Sequence, residues 1–95
     1  MSWEEFDNLV GEIREVFQIP PYLSDATIRT ALQKCYSRLV SLYGGDFSID
    51  QDTEGKMLLE NAAYYELYHR YEEFEPAWQS NILSWQLSRE EGDMF

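Results

Sequence analysis

The chain has 95 residues, of which 44% are hydrophobic and 16% aromatic, and this suffices for one domain with a core but not for two. Aspartate and glutamate number 18 against 7 lysines and arginines, so the formal net charge is -11 at pH 7. Such an excess of carboxylates repels phosphate, which argues against sequence-specific nucleic-acid binding and against association with anionic membranes.

The single cysteine, Cys35, has no intramolecular partner for a disulfide, and its apolar helical neighbours indicate that the thiol is buried. No apolar run approaches the ~20 residues of a membrane span, and the N-terminus lacks the basic start of a signal peptide. We therefore expect a soluble protein made in the cytoplasm. Because a domain this small buries little more than ~60% of its surface, we also expect it to associate with itself or a partner.

The first predicted helix covers residues 2–17. Ser2 and Glu5 form a capping box, in which each side chain satisfies a backbone amide of the first turn. Apolar residues recur every three or four positions and so share one face of the helix. They are Trp3, Phe6, Val10, Ile13 and Phe17.

A connector, residues 18–23, follows this helix. Pro20 and Pro21 each push the preceding residue out of helical geometry, which ends the helix and predicts an extended segment. The residues expected to anchor the connector are Ile19, Tyr22 and Leu23.

The second predicted helix begins at a cap, Ser24 or Asp25, and ends at Gly44, which can adopt positive φ and close the last turn. Its spacing predicts a core-facing seam. The seam consists of Ile28, Leu32, Cys35, Leu39 and Leu42. Residues 46–52 then form an irregular segment that we do not expect to be part of a sheet. The side chains expected to turn inward are Phe47 and Ile49.

The third predicted helix begins at Asp52 or Thr53 and runs to about Glu73. Its first half is apolar almost all round, which is typical of a central helix. The residues concerned are Met57, Leu58, Leu59, Ala62, Ala63 and Tyr65. At ~100° per residue, one face of the helix collects five apolar and aromatic side chains. They are Met57, Tyr64, Leu67, Tyr68 and Tyr71.

A fourth predicted helix starts at Glu75-Pro76, because proline is tolerated in the first turn. Its apolar stripe consists of Trp78, Ile82 and Trp85, widened by Leu83 and Leu87. Residues 90–95 carry charges without periodicity, and we expect this acidic tail to be mobile or ordered only by a partner. The elements together predict an all-α fold, a small bundle of about four helices around a hydrophobic third helix.

Eight residues of the second half of the chain form a candidate packing or interface set. They are Met57, Tyr64, Leu67, Tyr68, Tyr71, Phe74, Trp78 and Trp85. Tyrosine and tryptophan combine a large apolar area with a polar tip, so they are common both in cores and at protein interfaces. Base stacking needs a basic groove beside the rings, whereas glutamates interleave these. We expect most of the set to pack in the core and some to face another chain.

The residue types that carry acid-base or nucleophilic catalysis are scarce. His69 is the only histidine, and Cys35 is expected to be buried. No glycine-flanked serine indicates a nucleophile elbow. Gly44-Gly45-Asp46 lacks the lysine of a phosphate-binding loop and indicates a helix terminus. We therefore expect neither an enzyme nor a cofactor.

The segment that starts at Asp50 imitates the first half of a calcium-binding loop. Acidic residues occupy its first, third and fifth positions and Gly55 the sixth. The twelfth position, which needs a bidentate glutamate, holds Asn61. We therefore favour a loop that caps a helix and expect no metal site, while leaving open whether Asp50, Asp52 and Glu54 bind a cation.

Two stretches resemble the head-tail connector, or adaptor, proteins of tailed phages. The first runs from Asp25 to Gly44 and is similar to the helix that ends at a glycine in that family. Its matching positions are Asp25, Ile28, Leu32, Cys35, Leu39, Tyr43 and Gly44. The second covers residues 58–68, followed by Phe74 and by the closing helix with Ile82, Leu83 and Leu87. The resemblance covers residues 24–88 and leaves out the N-terminal helix and the acidic tail.

The resemblance implies a structural virion protein. Identical copies would form a ring on the portal protein, let DNA pass through, and offer a docking surface to neighbouring tail and connector proteins. It also implies no catalytic residues, and a place in the virion neck after synthesis in the host bacterial cytoplasm. A ring needs two different patches that meet head to tail. An acidic wall would not grip passing phosphates, so the charge agrees with this role.

The charge also fits another class of protein, an acidic DNA mimic or inhibitor that binds a basic protein partner. That hypothesis predicts a monomer or dimer with salt-sensitive binding. The connector hypothesis predicts higher oligomers, or a monomer that assembles on a portal. A small helical enzyme is a third hypothesis, and it rests only on His69 and the carboxylates near Asp50.

Overall fold

The computed structural model describes residues 3–93, and the side chains of residues 4–88. These residues form an all-α fold of five helices without a strand. The helices are α1 (Trp3–Val16), α2 (Asp25–Tyr43), α3 (Thr53–Leu67), α4 (Tyr71–Ala77) and α5 (Gln79–Asp93). In this part of the chain, no helix combines the length and the apolar character that crossing a membrane requires.

Helix α1 presents the predicted apolar face to the core. Phe6, Val10 and Ile13 are buried, and Leu9, which the predicted stripe omitted, is only 1% exposed. Phe17 is half-buried just beyond the helix. Ser2 and the side chain of Trp3 lie outside the described residues, so the predicted capping box and the first position of the stripe stay predictions.

The connector after α1 folds into turns, so its predicted extended form is wrong. The Leu23 amide donates to the Pro20 carbonyl at 3.1 Å, which closes a turn and directs Tyr22 outward. Tyr22 is 79% exposed and is not an anchor, whereas Ile19 is buried and Leu23 half-buried as predicted. Arg14 holds the turn from α1, because its Nη2 donates to the Leu23 carbonyl at 2.7 Å.

Helix α2 has the predicted start and end. The Ser24 hydroxyl accepts from the Thr27 amide, and Gly44 closes the helix at φ 86° with its amide on the Val40 carbonyl. The predicted seam is buried apart from Leu42, which is half-buried. Phe47 and Ile49 are 8% and 3% exposed, so the segment before α3 packs inward as predicted.

Helix α3 contacts all four of the other helices. Its fully buried side chains are Leu58, Leu59, Ala62 and Ala63. The alanines have short side chains, so α2 can approach α3 closely along this face. Partly buried tyrosines occupy the second half of the helix, at Tyr64 and Tyr65.

The prediction of one continuous helix to Glu73 is wrong, because α3 ends at Leu67 and α4 begins at Tyr71. The amides of His69 and Arg70 donate to carbonyls of the last turn, and His69 has a left-handed backbone at φ 58°. This break turns the chain, so that Phe74 on α4 is fully buried beneath Tyr65. Burying that ring outweighs the ~1–2 kcal/mol cost of a left-handed histidine.

The predicted start of the last helix at Pro76 is also wrong. Pro76 lies inside α4, and α5 begins after Trp78. Proline has no amide to donate to the Glu72 carbonyl, and α4 ends one residue later. The chain therefore has five helices where about four were predicted.

Helix α5 packs by one face and leaves the other in solvent. Ile82 and Trp85 are buried as predicted, at 7% and 1% exposure. Leu83 and Leu87 are 52% and 57% exposed, so the prediction that they widen the buried stripe is wrong. Each lies two positions from Trp85, which is about 200° around the helix.

The last residues continue this helix in part. The backbone of α5 is helical to Asp93, which includes the first four residues of the segment predicted to lack regular structure. Met94 and Phe95 lie outside the described residues, and the mobility of the acidic tail stays a prediction.

Candidate functional site

The structure distributes the eight candidate residues among three environments. The buried ones are Leu67, Phe74 and Trp85. The half-buried ones are Met57, Tyr64, Tyr71 and Trp78. Tyr68 is 41% exposed. The set is therefore not a single interface: its core members hold the fold together, and its exposed members contribute to a surface described below.

Trp85 is the centre of a buried aromatic cluster. Its indole stacks on the Tyr43 ring with centroids 4.3 Å apart and meets the Phe47 ring edge-on at 4.9 Å. The indole N–H donates to Asp52 Oδ2 at 2.7 Å, while Asp52 Oδ1 accepts from the Gly55 amide at 2.8 Å. One carboxylate thus caps α3 and fixes the ring of α5.

This arrangement gives the segment resembling a calcium loop a structural role. Asp52 uses both carboxylate oxygens within the protein. A Cβ at Gly55 would lie 2.8 Å from the Phe47 ring, so glycine permits this close approach. Among the described residues, no three histidine, cysteine or acidic side chains are grouped so that they could hold a metal ion.

Tyr71 faces α2 and so does not share a surface with Tyr64 and Tyr68. The Arg38 guanidinium lies 4.0 Å above the Tyr71 ring and donates to Glu66 at 3.0 Å. The Tyr71 hydroxyl donates to Glu75 Oε2 at 3.0 Å. Burial, together with this bond, raises the pKa of Tyr71 far above its ordinary value. The ring therefore stays neutral and joins α4 to α2.

An aromatic groove opens between the end of α1 and the turn that joins α3 to α4, with a volume of about 570 Å³. We define it by the side chains that line it. They are Phe17, Asn61, Tyr64, Tyr65, Tyr68, Arg70 and Trp78. Phe17 and Tyr64 stack at 4.6 Å, and Tyr68 meets Tyr64 edge-on at 5.3 Å. Three candidate residues, Tyr64, Tyr68 and Trp78, therefore lie together at this surface.

Four of the groove residues were missing from the candidate set, namely Phe17, Asn61, Tyr65 and Arg70. Phe17 belonged to the predicted stripe of α1, but nothing in its spacing indicates contact with Tyr64. In a continuous helix Arg70 would lie about 200° around the axis from Tyr68, and it reaches the groove because the chain breaks at His69. The helical spacing of the sequence does not indicate this break, so the sequence could not place Arg70 in the groove.

A second surface, which we call the leucine ridge, lies on the outer face of α5 and carries two exposed leucine side chains. Leu83 and Leu87 stand one turn apart, and three serines flank them. The serines are Ser80, Ser84 and Ser88. Glu54 of α3 lies beside the ridge, and its carboxylate has no cation partner among the described residues.

Carboxylates outnumber cations on the surface of the described residues. Each of the six lysine and arginine side chains that the structure describes forms an ion pair with a carboxylate. The pairs are Arg14–Asp25, Arg29–Asp7, Lys34–Glu66, Arg38–Glu66, Lys56–Glu12 and Arg70–Glu73. Exposed carboxylates without such a pair include Glu15, Asp50 and Glu72. The described cations therefore do not form a cluster that could hold phosphates.

Cys35 is fully buried, as its neighbours predicted. Burial, reinforced by the Glu66 carboxylate, raises the pKa of the thiol to about 12. Because the thiolate is the reactive form, a nucleophilic role for this residue at neutral pH has no support. His69 lies exposed in the turn between α3 and α4.

Comparisons with protein-family models, with curated proteins and with solved structures find no match to this chain.

Proposed function

We propose that this chain is a head-tail connector, or adaptor, a structural protein whose copies form a ring on a portal and let DNA pass. The observation that carries the proposal is the pair of separate surfaces, the aromatic groove and the leucine ridge with its two exposed leucines. Among the described residues, the two surfaces share no lining residue. Two unlike patches on one copy are what a head-to-tail ring requires.

The charge distribution supports the second half of the proposal. A channel wall must let DNA slide, and exposed carboxylates repel phosphates. Each described cation lies beside a carboxylate that offsets its positive potential, so this surface offers the duplex little net attraction.

Two side chains with potential for chemistry, those of Asp52 and Cys35, are used in the fold, which supports a non-catalytic function. Asp52 caps α3 and binds the Trp85 indole, and the Cys35 thiol is buried. In this proposal the acidic tail and the N-terminal helix reach neighbouring proteins of the virion neck.

Multi-angle light scattering of the pure protein, alone and with a candidate portal, tests the proposal. We expect a ring of several copies, either free or bound to the portal. A protein that stays monomeric in both conditions would contradict it, as would turnover of a metabolite.

The acidic mimic remains the second candidate, because Glu15, Asp50 and Glu72 are exposed and form no ion pair with the cations that the structure describes. It predicts tight binding of a basic protein that added salt weakens. The same light-scattering series with a basic nuclease or repressor distinguishes the two functions. A salt-sensitive one-to-one complex without self-assembly would favour the mimic.

A further inference from the structure

We propose that the leucine ridge of one copy seats in the aromatic groove of the next, with Glu54 of the first copy facing Arg70 of the second. This pairing deepens the proposed function and rests on it only for the step from a head-to-tail contact to a closed ring. It commits both surfaces to one occupant, a second copy of this chain.

The side chains of the ridge are of a kind that the groove can accept. Leu83 and Leu87 are exposed one turn apart on the outer face of α5, and the flanking serines are small enough for another backbone to come near. The groove is concave and lined mainly by rings. Aliphatic side chains inserted among aromatic rings bury apolar area on both sides, which is the main favourable term in association.

The charges at the two surfaces are opposite. Among the described residues, Arg70 is the only cation that lines the groove, and its side chain is 70% exposed. Its contact with Glu73 spans 3.6 Å between two exposed groups of one turn, and such a pair contributes little. Glu54, beside the ridge, forms no ion pair with any cation that the structure describes. Between copies that otherwise repel each other, this pair sets the register.

A single copy cannot bring its own ridge into its own groove. The Trp85 indole and the Gln86 amide, which donates to the Leu42 carbonyl at 2.6 Å, hold the inner face of α5. Leu83 and Leu87 therefore point away from the molecule. A contact between copies leaves one ridge and one groove unused at the two ends, so further copies can add, and a ring forms when the rotation between copies closes.

The direction of the contact is tested by a pair of charged variants at exposed positions. Tyr68→Asp blocks the groove and Leu83→Asp blocks the ridge, and neither position is in the core. We expect each variant alone to be monomeric in sedimentation velocity. An equimolar mixture has one intact groove and one intact ridge, so it forms a one-to-one dimer and nothing larger.

Matched controls place the same charge elsewhere. Tyr22→Asp changes an exposed ring that does not line the groove, and Asn81→Asp changes an exposed residue of α5 away from the ridge. Both keep the wild-type mass. The proposal is overturned if Tyr68→Asp or Leu83→Asp also keeps the wild-type mass, if their mixture stays monomeric, or if the wild-type chain is monomeric at millimolar concentration.

The register is tested by exchanging the two charges. Arg70→Glu and Glu54→Lys each weaken self-association by about tenfold, and the double variant regains most of that loss, because the pair is restored with reversed polarity. Equal weakening in the double variant would exclude this pairing.

The outcomes separate this inference from the proposed function. If rings form but the Arg70→Glu and Glu54→Lys variants assemble as the wild type does, the connector role stands and the ridge-to-groove contact is overturned. If the mixture dimerises as expected but the wild-type protein does not bind a portal, the ridge-to-groove contact stands and the connector role is overturned.

Discussion

The Asp52 carboxylate has two roles at once, and its removal tests both. Asp52→Ala loses the cap of α3 and leaves the buried Trp85 indole N–H without an acceptor. We expect a loss of about 3 kcal/mol in the free energy of unfolding, the sum of a lost cap and an unsatisfied donor. Urea unfolding followed by circular dichroism measures it.

Asp50→Ala is the matched control for this change, because Asp50 is exposed and two residues away. It should alter the free energy of unfolding by less than about 0.5 kcal/mol. Equal effects of the two substitutions would mean that the contact between α3 and α5 contributes little.

Glu60 predicts a pH dependence of stability. Burial, and then the nearby Glu12 carboxylate, raise the pKa of Glu60 in the folded protein. The charged form is therefore destabilised by folding above that pKa, and this penalty disappears once the pH falls below the ordinary pKa of glutamate. We expect Glu60→Gln to raise the melting temperature near pH 7 and to have no effect in acid.

Glu15→Gln serves as its control, since Glu15 is an exposed carboxylate of α1. It removes the same charge and should change the melting temperature much less. Melting curves from pH 3 to pH 8 give the comparison, and a Glu60→Gln advantage that persists at the acid end would contradict the assignment.

At the scale of the elements, the turn between α3 and α4 carries a residue that is poorly suited to its backbone. His69 has φ 58°, in the left-handed region that glycine adopts without steric penalty. His69→Gly should raise the free energy of unfolding by about 1 kcal/mol, because it removes this strain. Denaturant titration of the variant measures the gain.

Arg70→Gly tests whether the gain depends on conformation. The φ of Arg70 is -122°, which ordinary residues adopt readily. Glycine there should lower stability by about 0.5–1 kcal/mol through added freedom of the unfolded chain. A loss of stability at both positions would show that the turn is not strained.

Helix α2 could be predicted from the sequence because both of its ends are local. Ser24 bonds to an amide three residues away, and Gly44 closes the last turn on Val40. No such local signal marks the end of α3. The helical spacing continues through His69 without glycine or proline, and the break follows from the burial of Phe74, a tertiary effect.

The candidate site could be predicted only in part, because it too depends on tertiary contacts. Aromatic composition indicated that Tyr64, Tyr68 and Trp78 could form a surface, but the groove needs Phe17 from α1 and Arg70 from beyond the break. The prediction that Leu83 is buried was wrong because a wide apolar stripe in the sequence is compatible with either a buried or an exposed leucine at its edge. Packing against α2 and α3 decided which face of α5 was covered.

At the scale of the whole molecule, the net charge of -11 predicts how salt acts. Because repulsion between like charges opposes both folding and self-association, we expect added sodium chloride to raise the melting temperature and to strengthen assembly. Light scattering and thermal melts between low and moderate ionic strength measure the two effects.

A variant with fewer carboxylates provides the control. Replacing Glu15, Asp50 and Glu72 by their amides removes three exposed charges, so the salt dependence should become shallower. Self-assembly that weakens as salt is added would instead indicate that attraction between unlike charges of two copies outweighs the repulsion between their carboxylates.

The bond between Trp85 and Asp52 also has a consequence for biosynthesis. It joins Asp52 to Trp85, which lies 33 positions further along the chain in α5. Synthesis proceeds from the N-terminus, so Tyr43 and Phe47 lack their ring contacts with Trp85 until α5 has been translated. A chain released before that point would expose these aromatic side chains to proteases and chaperones. This favours assembly from full-length copies.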